Sequence, residues 1–345
     1  MNDLIDTLLG IEPGSHLDAL RALRPELRAA GAGSEAAIFE AASGLSAAER
    51  HALAAHVAAL HECAPLAQHH AARAGTLRPA LAAHAEFLAF DPHLASPDAI
   101  AALTAAGLAP REIVMASQLI AYVSYQVRMM DALVLLDPAR EPPARRARPP
   151  AKGATSTADF GFTADSLEWS SWVPVQDLAT ATPEQIAVLD ESHAKAKTSD
   201  YYLLLVQEPE VLPQRSKLFN TIMYGPRGAS RAERELAASA ESRLNGCPYC
   251  LSVHAQRYVQ LKGDPGLMQR LVRDGVDAPM DARSRAIVDA SVALSTTPAS
   301  CTADHVAALR GHGLQDAEII DILASVAMFA WANRLMQTLG EPRLA

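Results

Sequence analysis

Residues 245–254 read NGCPYCLSVH and place Cys247 and Cys250 three apart, with His254 one helical turn further on, in a chain of 345 residues that holds only four cysteines. If Gly246 ends one helix and Cys247 caps the next, Cys250 falls in the first turn. There, unpaired backbone N–H groups and the helix dipole favour a thiolate. His254 lies four residues beyond Cys250 and Cys247 three before it, so all three share one helix face. A free thiol with a pKa near ~8.5 is only a few per cent ionised at neutral pH. The helix end contributes roughly 0.3–1 kcal/mol, less than one pKa unit, so the imidazole must supply the rest. Cys247 then serves as the resolving partner. Once Cys250 has attacked a peroxide or a disulfide, the sulfenic acid or mixed disulfide collapses to a Cys247–Cys250 bridge. An acid that orients His254 or takes its proton would complete the set, and Glu235 and Glu241 both stand upstream. Beside a thiol alone a carboxylate would raise the thiol pKa, so it helps only through the histidine or a bridging water.

The elements that must hold these groups are helical. Alanine and leucine are abundant, aromatics make up 5% of the chain, and apolar positions recur every three to four residues. The expected class is all-α. The pattern predicts a helix from about Arg231 to Leu244, a stop at Asn245-Gly246, and a new helix from Pro248 to about Lys262. Further helices are expected at 281–296, 303–312 and 316–339, and one at 182–206 leading into 208–224.

The chain also repeats itself. AERHALAAHVAALHECAPLAQHH (48–70) aligns without gaps on AERELAASAESRLNGCPYCLSVH (232–254), setting Cys63 on Cys247 and His70 on His254. PDAIAALTAAGLAPREI (97–113) matches ADHVAALRGHGLQDAEI (303–319), and the following helices set Arg128 on Arg334. The offset grows from 184 to 206, which places extra residues of the second copy between 255 and 293. In the first copy Leu66 replaces Cys250 and His51 replaces Glu235, so no dithiol cycle can run there.

RAERELAASAESRLNGCPYCLSVHAQR (231–257) resembles the signature of the carboxymuconolactone decarboxylase / alkylhydroperoxidase D-like superfamily, in its peroxidase-related branch. The signature is a Glu, a Cys-x-x-Cys starting twelve positions later, and a His four beyond it. FTADSLEWSSWVP (162–174) and WANRLMQTLGEP (331–342) resemble the same branch. The resemblance implies two tandem alkylhydroperoxidase D-like helical domains: a degenerate one at 1–138, a linker at 139–160, and a redox-active one at 161–345. It implies thiol-dependent hydroperoxide reduction, with Glu235, Cys247, Cys250 and His254 in the proton-relay and redox positions. It also implies a lipoyl or thioredoxin-like dithiol reductant, no cofactor and a homo-oligomer.

Composition narrows the partners. A net charge of −9 gives no electrostatic footprint for nucleic acid. The N-terminus lacks a basic region followed by an apolar run, and the most apolar stretch, 113–127, is shorter than a bilayer span and reads as a buried core helix. No membrane partner and a cytoplasmic location are the expectations. Residues 139–160 have linker chemistry, with Arg140, Arg145, Arg146, Arg148 and Lys152 expected on a solvated hinge. Other uses of the motif are a zinc site, with Cys301 or His312 brought in by folding, or a redox sensor. A lactone decarboxylase using histidines of the first copy is a third reading. The stretch HECAPLAQHH (61–70) reads as helix-surface histidines around one buried cysteine, with metal binding through His61, Cys63, His69 and His70 as the alternative. Cys301 is expected to be a small buried residue, Asn333 and Arg334 to cap or pair across an oligomer interface, and Trp169, Trp172 and Trp331 to anchor a core or interface.

Overall fold

The computed structural model describes residues 3–143, 145, 158 and 160–345. Most of the expected linker, with Arg146, Arg148 and Lys152, lies outside the described residues. The fold is all-α. The first part of the chain forms α1 (Leu4–Leu8), α2 (His16–Ala22), α3 (Pro25–Phe39), α4 (Ala47–Leu60), α5 (Ala64–Ala71), α6 (Pro79–Phe90), α7 (Pro97–Ala105) and α8 (Pro110–Leu136). After a strand β1 (Leu167–Ser171) come α9 (Pro183–Ser192), α10 (Asp200–Leu205), α11 (Val211–Tyr224), α12 (Arg231–Leu244) and α13 (Pro248–Gln260). The chain closes with α14 (Pro265–Asp274), α15 (Ala282–Ser295), α16 (Ala303–Gly311), α17 (Asp316–Leu339) and β2 (Gly340–Leu344).

The helix series repeats as the sequence suggests. α4 and α5 correspond to α12 and α13 at the offset of 184, and α7 and α8 to α16 and α17 at 206. α14 occupies the interval that must hold the extra residues. Internal bonds repeat as well. Arg50 Nη1 donates to the Ile38 carbonyl at 2.6 Å, and Arg234 Nη1 to the Ile222 carbonyl at 2.9 Å, each arginine tying its helix to the helix before it.

Two expectations on elements are corrected. The expected helix at 182–206 is broken into α9 and α10, with a 3₁₀ turn at Ala196–Thr198 between them. Asp200 turns aside to accept the Ser171 N–H of β1 at 3.1 Å, a tertiary bond that periodicity does not reveal. The second concerns length. The apolar stretch at 113–127 belongs to a 27-residue helix, so α8 and α17 are both long and apolar enough to cross a membrane, although both are enclosed within the fold. The short ribbon β1–β2 was not expected. It is antiparallel, pairing Leu167 with Leu344 and Ser171 with Gly340. A Cβ at Gly340 would sit 2.3 Å from the Trp169 ring and 2.2 Å from the Ser170 carbonyl, so this close crossing requires glycine.

The core centres on α8 packed against α17. Arg128 of α8 and Arg334 of α17 are fully buried and act reciprocally. Arg128 Nη2 donates to the Ser295 carbonyl at 2.6 Å and the Thr296 carbonyl at 3.3 Å, at the end of α15. Arg334 donates to the Leu88 carbonyl at 2.9 Å and the Ala89 carbonyl at 3.2 Å, at the end of α6. Each cation thus caps the negative end of a helix from the other half of the chain. Of the two roles expected for Arg334, capping or pairing across an oligomer interface, these bonds are the first: it caps a helix of its own chain. Arg145 departs from a solvated hinge, since its side chain is largely enclosed and paired with Asp131.

Glu241 of α12 faces this pair of arginines. Burial pushes its carboxyl up to about 7, against the opposing pull of Arg128 and Arg334. Two predictions follow from this buried junction. Arg334→Met should cost about 3–5 kcal/mol in urea unfolding, because it strands two helix-end carbonyls and leaves Glu241 with one cation fewer. Glu241→Gln should change the pH dependence of stability. From the unfolded value near 4.5 up to about 7, the folded chain keeps a proton on Glu241 that the unfolded chain has released, so stability falls as pH rises through that window. The variant lacks this fall, and the gap between the two unfolding curves should change by roughly 3 kcal/mol between its ends. Parallel curves would show that Glu241 titrates as if in water.

Candidate active site

The dithiol is positioned by the turn between α12 and α13. A capping box starts α12: Ser230 Oγ accepts the Glu233 N–H at 3.2 Å and Glu233 accepts the Ser230 N–H at 3.0 Å. α12 stops at Leu244, and Gly246 at φ +74° turns the chain in the left-handed conformation that glycine adopts without strain. Cys247 is then the N-cap of α13 and Pro248 opens its first turn. α17 clamps the turn. Gln337 Nε2 donates to the Asn245 carbonyl at 2.7 Å, and Asn333 accepts from Asn245 Nδ2 at 3.2 Å while donating to Ser242 Oγ at 3.0 Å. Asn333 therefore holds the dithiol turn within the chain rather than pairing across an oligomer interface.

Cys247 and Cys250 are reduced and buried, with their sulfurs 2.8 Å apart. Burial, reinforced by the contact with Cys250, pushes the Cys247 thiol well up and keeps it protonated. Cys250 sits in the first turn of α13, with His254 one turn on along the same continuous helix.

His254 Nδ1 meets Glu235 Oε2 at 2.5 Å. Since a carboxylate only accepts, the bond assigns the ring proton to Nδ1 and leaves Nε2 as the nitrogen able to take a proton. Glu235 is 1% exposed, not a solvated helix residue. Its other oxygen accepts from Arg231 Nε at 3.3 Å, and the Arg231 guanidinium lies 4.0 Å from the centre of the Tyr224 ring. Glu241, the competing acid, bonds Asn245 Nδ2 at 2.9 Å instead. The histidine ring is held edge-on to Phe329, with ring centres 4.4 Å apart, and faces Phe219 at 6.5 Å.

All four site residues named from the sequence are thus grouped around one turn and two adjoining helices. Sequence reasoning missed Arg231, although its place four residues before Glu235 is a readable helix pairing. It also missed Phe219 and Phe329, which come from α11 and α17 and carry no local signal.

The corresponding place in the first half holds a different pair. His51 Nδ1 and His70 Nδ1 are 3.0 Å apart, and Phe39 stacks on both rings at 5.0 and 4.6 Å. Leu66, fully buried, stands where Cys250 stands. The histidines of 61–70 are not all on the surface as expected. His61 is buried against Ser124 Oγ at 3.1 Å, and His70 is buried and pushed down to about 3 by burial. They lie on the inner face because the repeat turns that face toward the core. Among the described residues no three His, Cys, Asp or Glu side chains converge as metal ligands. Cys301 is only partly buried as a residue, though burial pushes its thiol up to about 12. Trp331 is wholly buried, while Trp169 and Trp172 are half-buried against the core.

No curated protein matches the chain in sequence. Among solved structures, the chain is similar to the alkylhydroperoxidase AhpD core of an uncharacterized peroxidase-related protein from Ralstonia eutropha JMP134. The two are 25% identical, the match covers 49% of this chain and 90% of that one, and the TM-score is 0.43. The family model of the carboxymuconolactone decarboxylase family matches residues 209–266. That matched stretch contains Glu235, Cys247, Cys250 and His254.

Proposed function

We propose that this protein is a thiol-dependent hydroperoxide reductase whose chemistry is confined to the second half of the chain. The observation that carries the reading is the joint placement of two reduced sulfurs 2.8 Å apart at the start of α13 and a histidine–carboxylate pair 2.5 Å apart beside them. His254 Nε2 takes the Cys250 proton while Glu235 stabilises the imidazolium through Nδ1. The thiolate attacks one peroxide oxygen and the O–O bond breaks. Cys250 becomes a sulfenic acid, and the alkoxide or hydroxide leaves with the proton held on His254. Cys247 then attacks the sulfenic sulfur and expels water, so the two thiols have supplied two electrons and form a disulfide. A dithiol of the lipoyl or thioredoxin type returns the pair to thiols by exchange.

The first half, with Leu66 in place of the attacking cysteine, supplies packing for α17 rather than a second reaction centre. A redox sensor would share the oxidation step but not repeated turnover. Sustained hydroperoxide consumption with a dithiol donor separates the two.

The test is thiol titration before and after one equivalent of cumene hydroperoxide. Wild type should lose two thiols per chain and Cys250→Ser should lose none. His254→Ala should react about 10²–10⁴-fold more slowly, the usual span of a general base. Glu235→Gln should slow the reaction less than removing the histidine does. Thiols that persist in wild type would reject the peroxidase reading.

A further inference from the structure

Glu235 is buried and, among the described residues, meets two groups: His254 Nδ1 through Oε2 at 2.5 Å and Arg231 Nε through Oε1 at 3.3 Å. A carboxylate enclosed without a positive partner is costly. His254 must be neutral to accept a proton on Nε2, so before that transfer the positive charge has to come from another residue. Arg234, the next residue in sequence, is committed elsewhere. It donates to the Ile222, Gly225 and Arg227 carbonyls and to Asp321. Among the described residues Arg231 is therefore the cation of Glu235, and Glu235 is its one ion pair.

Helix stability does not account for an arginine at this place. Arg231 is the first residue of α12, directly after the N-cap Ser230, where the helix dipole disfavours positive charge. An arginine four residues before a glutamate is also the weaker order of a helical ion pair. The first half shows what the fold itself requires. At the offset of 184, Ala47 stands in the place of Arg231, directly after the N-cap Ser46, and α4 forms without the cation. His51 stands there for Glu235, so that half has no carboxylate to hold. The arginine accompanies the carboxylate. Tyr224 follows the same rule. Its ring is half exposed and lies 4.0 Å from the Arg231 guanidinium, whereas Glu40 holds the corresponding position in the first half.

We propose that Arg231, held by the Tyr224 ring, is a positioning residue for the His254–Glu235 pair, its guanidinium keeping the carboxylate charged and turned so that Oε2 accepts the Nδ1 proton. The inference deepens the proposed reaction and rests on His254 being its base. The consequence lies in the tautomer. With Glu235 ionised, the ring proton sits on Nδ1 and Nε2 is free to take the Cys250 proton. Without the cation, the buried carboxyl keeps a proton and donates it to Nδ1. The ring proton then sits on Nε2, which can no longer act as a base.

The test uses the full-length reduced protein. Nitrogen NMR of histidine-labelled protein near neutral pH reads the His254 tautomer, its signals identified by their loss in His254→Ala. Wild type should show the Nδ1-protonated ring. Arg231→Ala should shift the population toward Nε2–H, and Arg231→Lys should keep most of the wild-type form. Arg231→Ala should melt no lower than wild type, because alanine suits the first helical position better than a cation does. Its thiols should nevertheless react with cumene hydroperoxide about tenfold more slowly, the lower end of what a hydrogen bond to a charged group is worth. Tyr224→Leu should slow the reaction roughly two- to threefold, the value of an exposed cation–π contact. A merely structural arginine would change the melting temperature and leave the tautomer alone. An unchanged His254 tautomer in folded Arg231→Ala overturns the proposal, whatever the rate. Wild-type thiols that survive the peroxide would reject the peroxidase reading, while the tautomer would still decide the role of Arg231.

Discussion

The contact on which the rest of the molecule depends is the reciprocal capping made by Arg128 and Arg334. Two fully buried guanidinium groups are expensive to desolvate, and among the described residues Glu241 is the one carboxylate drawn to both. Burial pushes Arg334 down to about 9, a measure of how little the surroundings resemble water. What offsets the cost is geometry: each guanidinium donates to carbonyls at the C-terminal end of a helix from the opposite half, where the dipole is negative. The same bonds fix α17 along its length. Phe329, Trp331, Asn333 and Gln337 all sit on that helix, and they touch in turn His254, Arg215, Asn245 and the carbonyl before Gly246. A contact between halves and the geometry of the dithiol turn are therefore one structural problem solved by one helix.

The choice between Glu235 and Glu241 shows what helical geometry adds to a motif. The two are six residues apart on α12, which rotates one about 240° from the other. Only one of them can face α13. The other must face α17, where it meets the arginines and the asparagine of the turn. Both are buried and both are acidic, yet one holds a histidine proton while the other is a carboxyl driven toward neutrality. A sequence that names both as candidates contains the rotation, but not which direction is α13.

What was legible was local. Ser230, Gly246, Pro248 and the apolar period of 316–339 mark their helices within one or two residues, because caps and breakers act over a single turn. The repeat was legible too, since it rests on matched residues in order. What was not legible depends on distant partners. The 182–206 stretch carries no glycine or internal proline to break it after Pro183, and its interruption answers to Asp200 bonding β1. The β1–β2 ribbon joins residues some 170 apart in sequence. Arg215 and Tyr201 meet from α11 and α10, with no spacing rule to connect them.

The comparison of the two halves separates what the scaffold imposes from what the side chains add. Gly246 has its counterpart in Glu62, which adopts the same left-handed backbone at φ +55° although it bears a side chain, at a cost of about 1–2 kcal/mol. The turn is thus dictated by the packing of the helix pair and not by the residue that occupies it. The relay position behaves likewise: a glutamate and a histidine at 2.5 Å in one half, two histidines at 3.0 Å in the other. Both halves bring two polar side chains together across the same helix pair. Leu66 in place of a second cysteine leaves the helices undisturbed, because a buried leucine fills the space in their first turn. Position is a property of the fold and reactivity a property of four side chains, so one half keeps the architecture while only the other has the residues for a dithiol cycle.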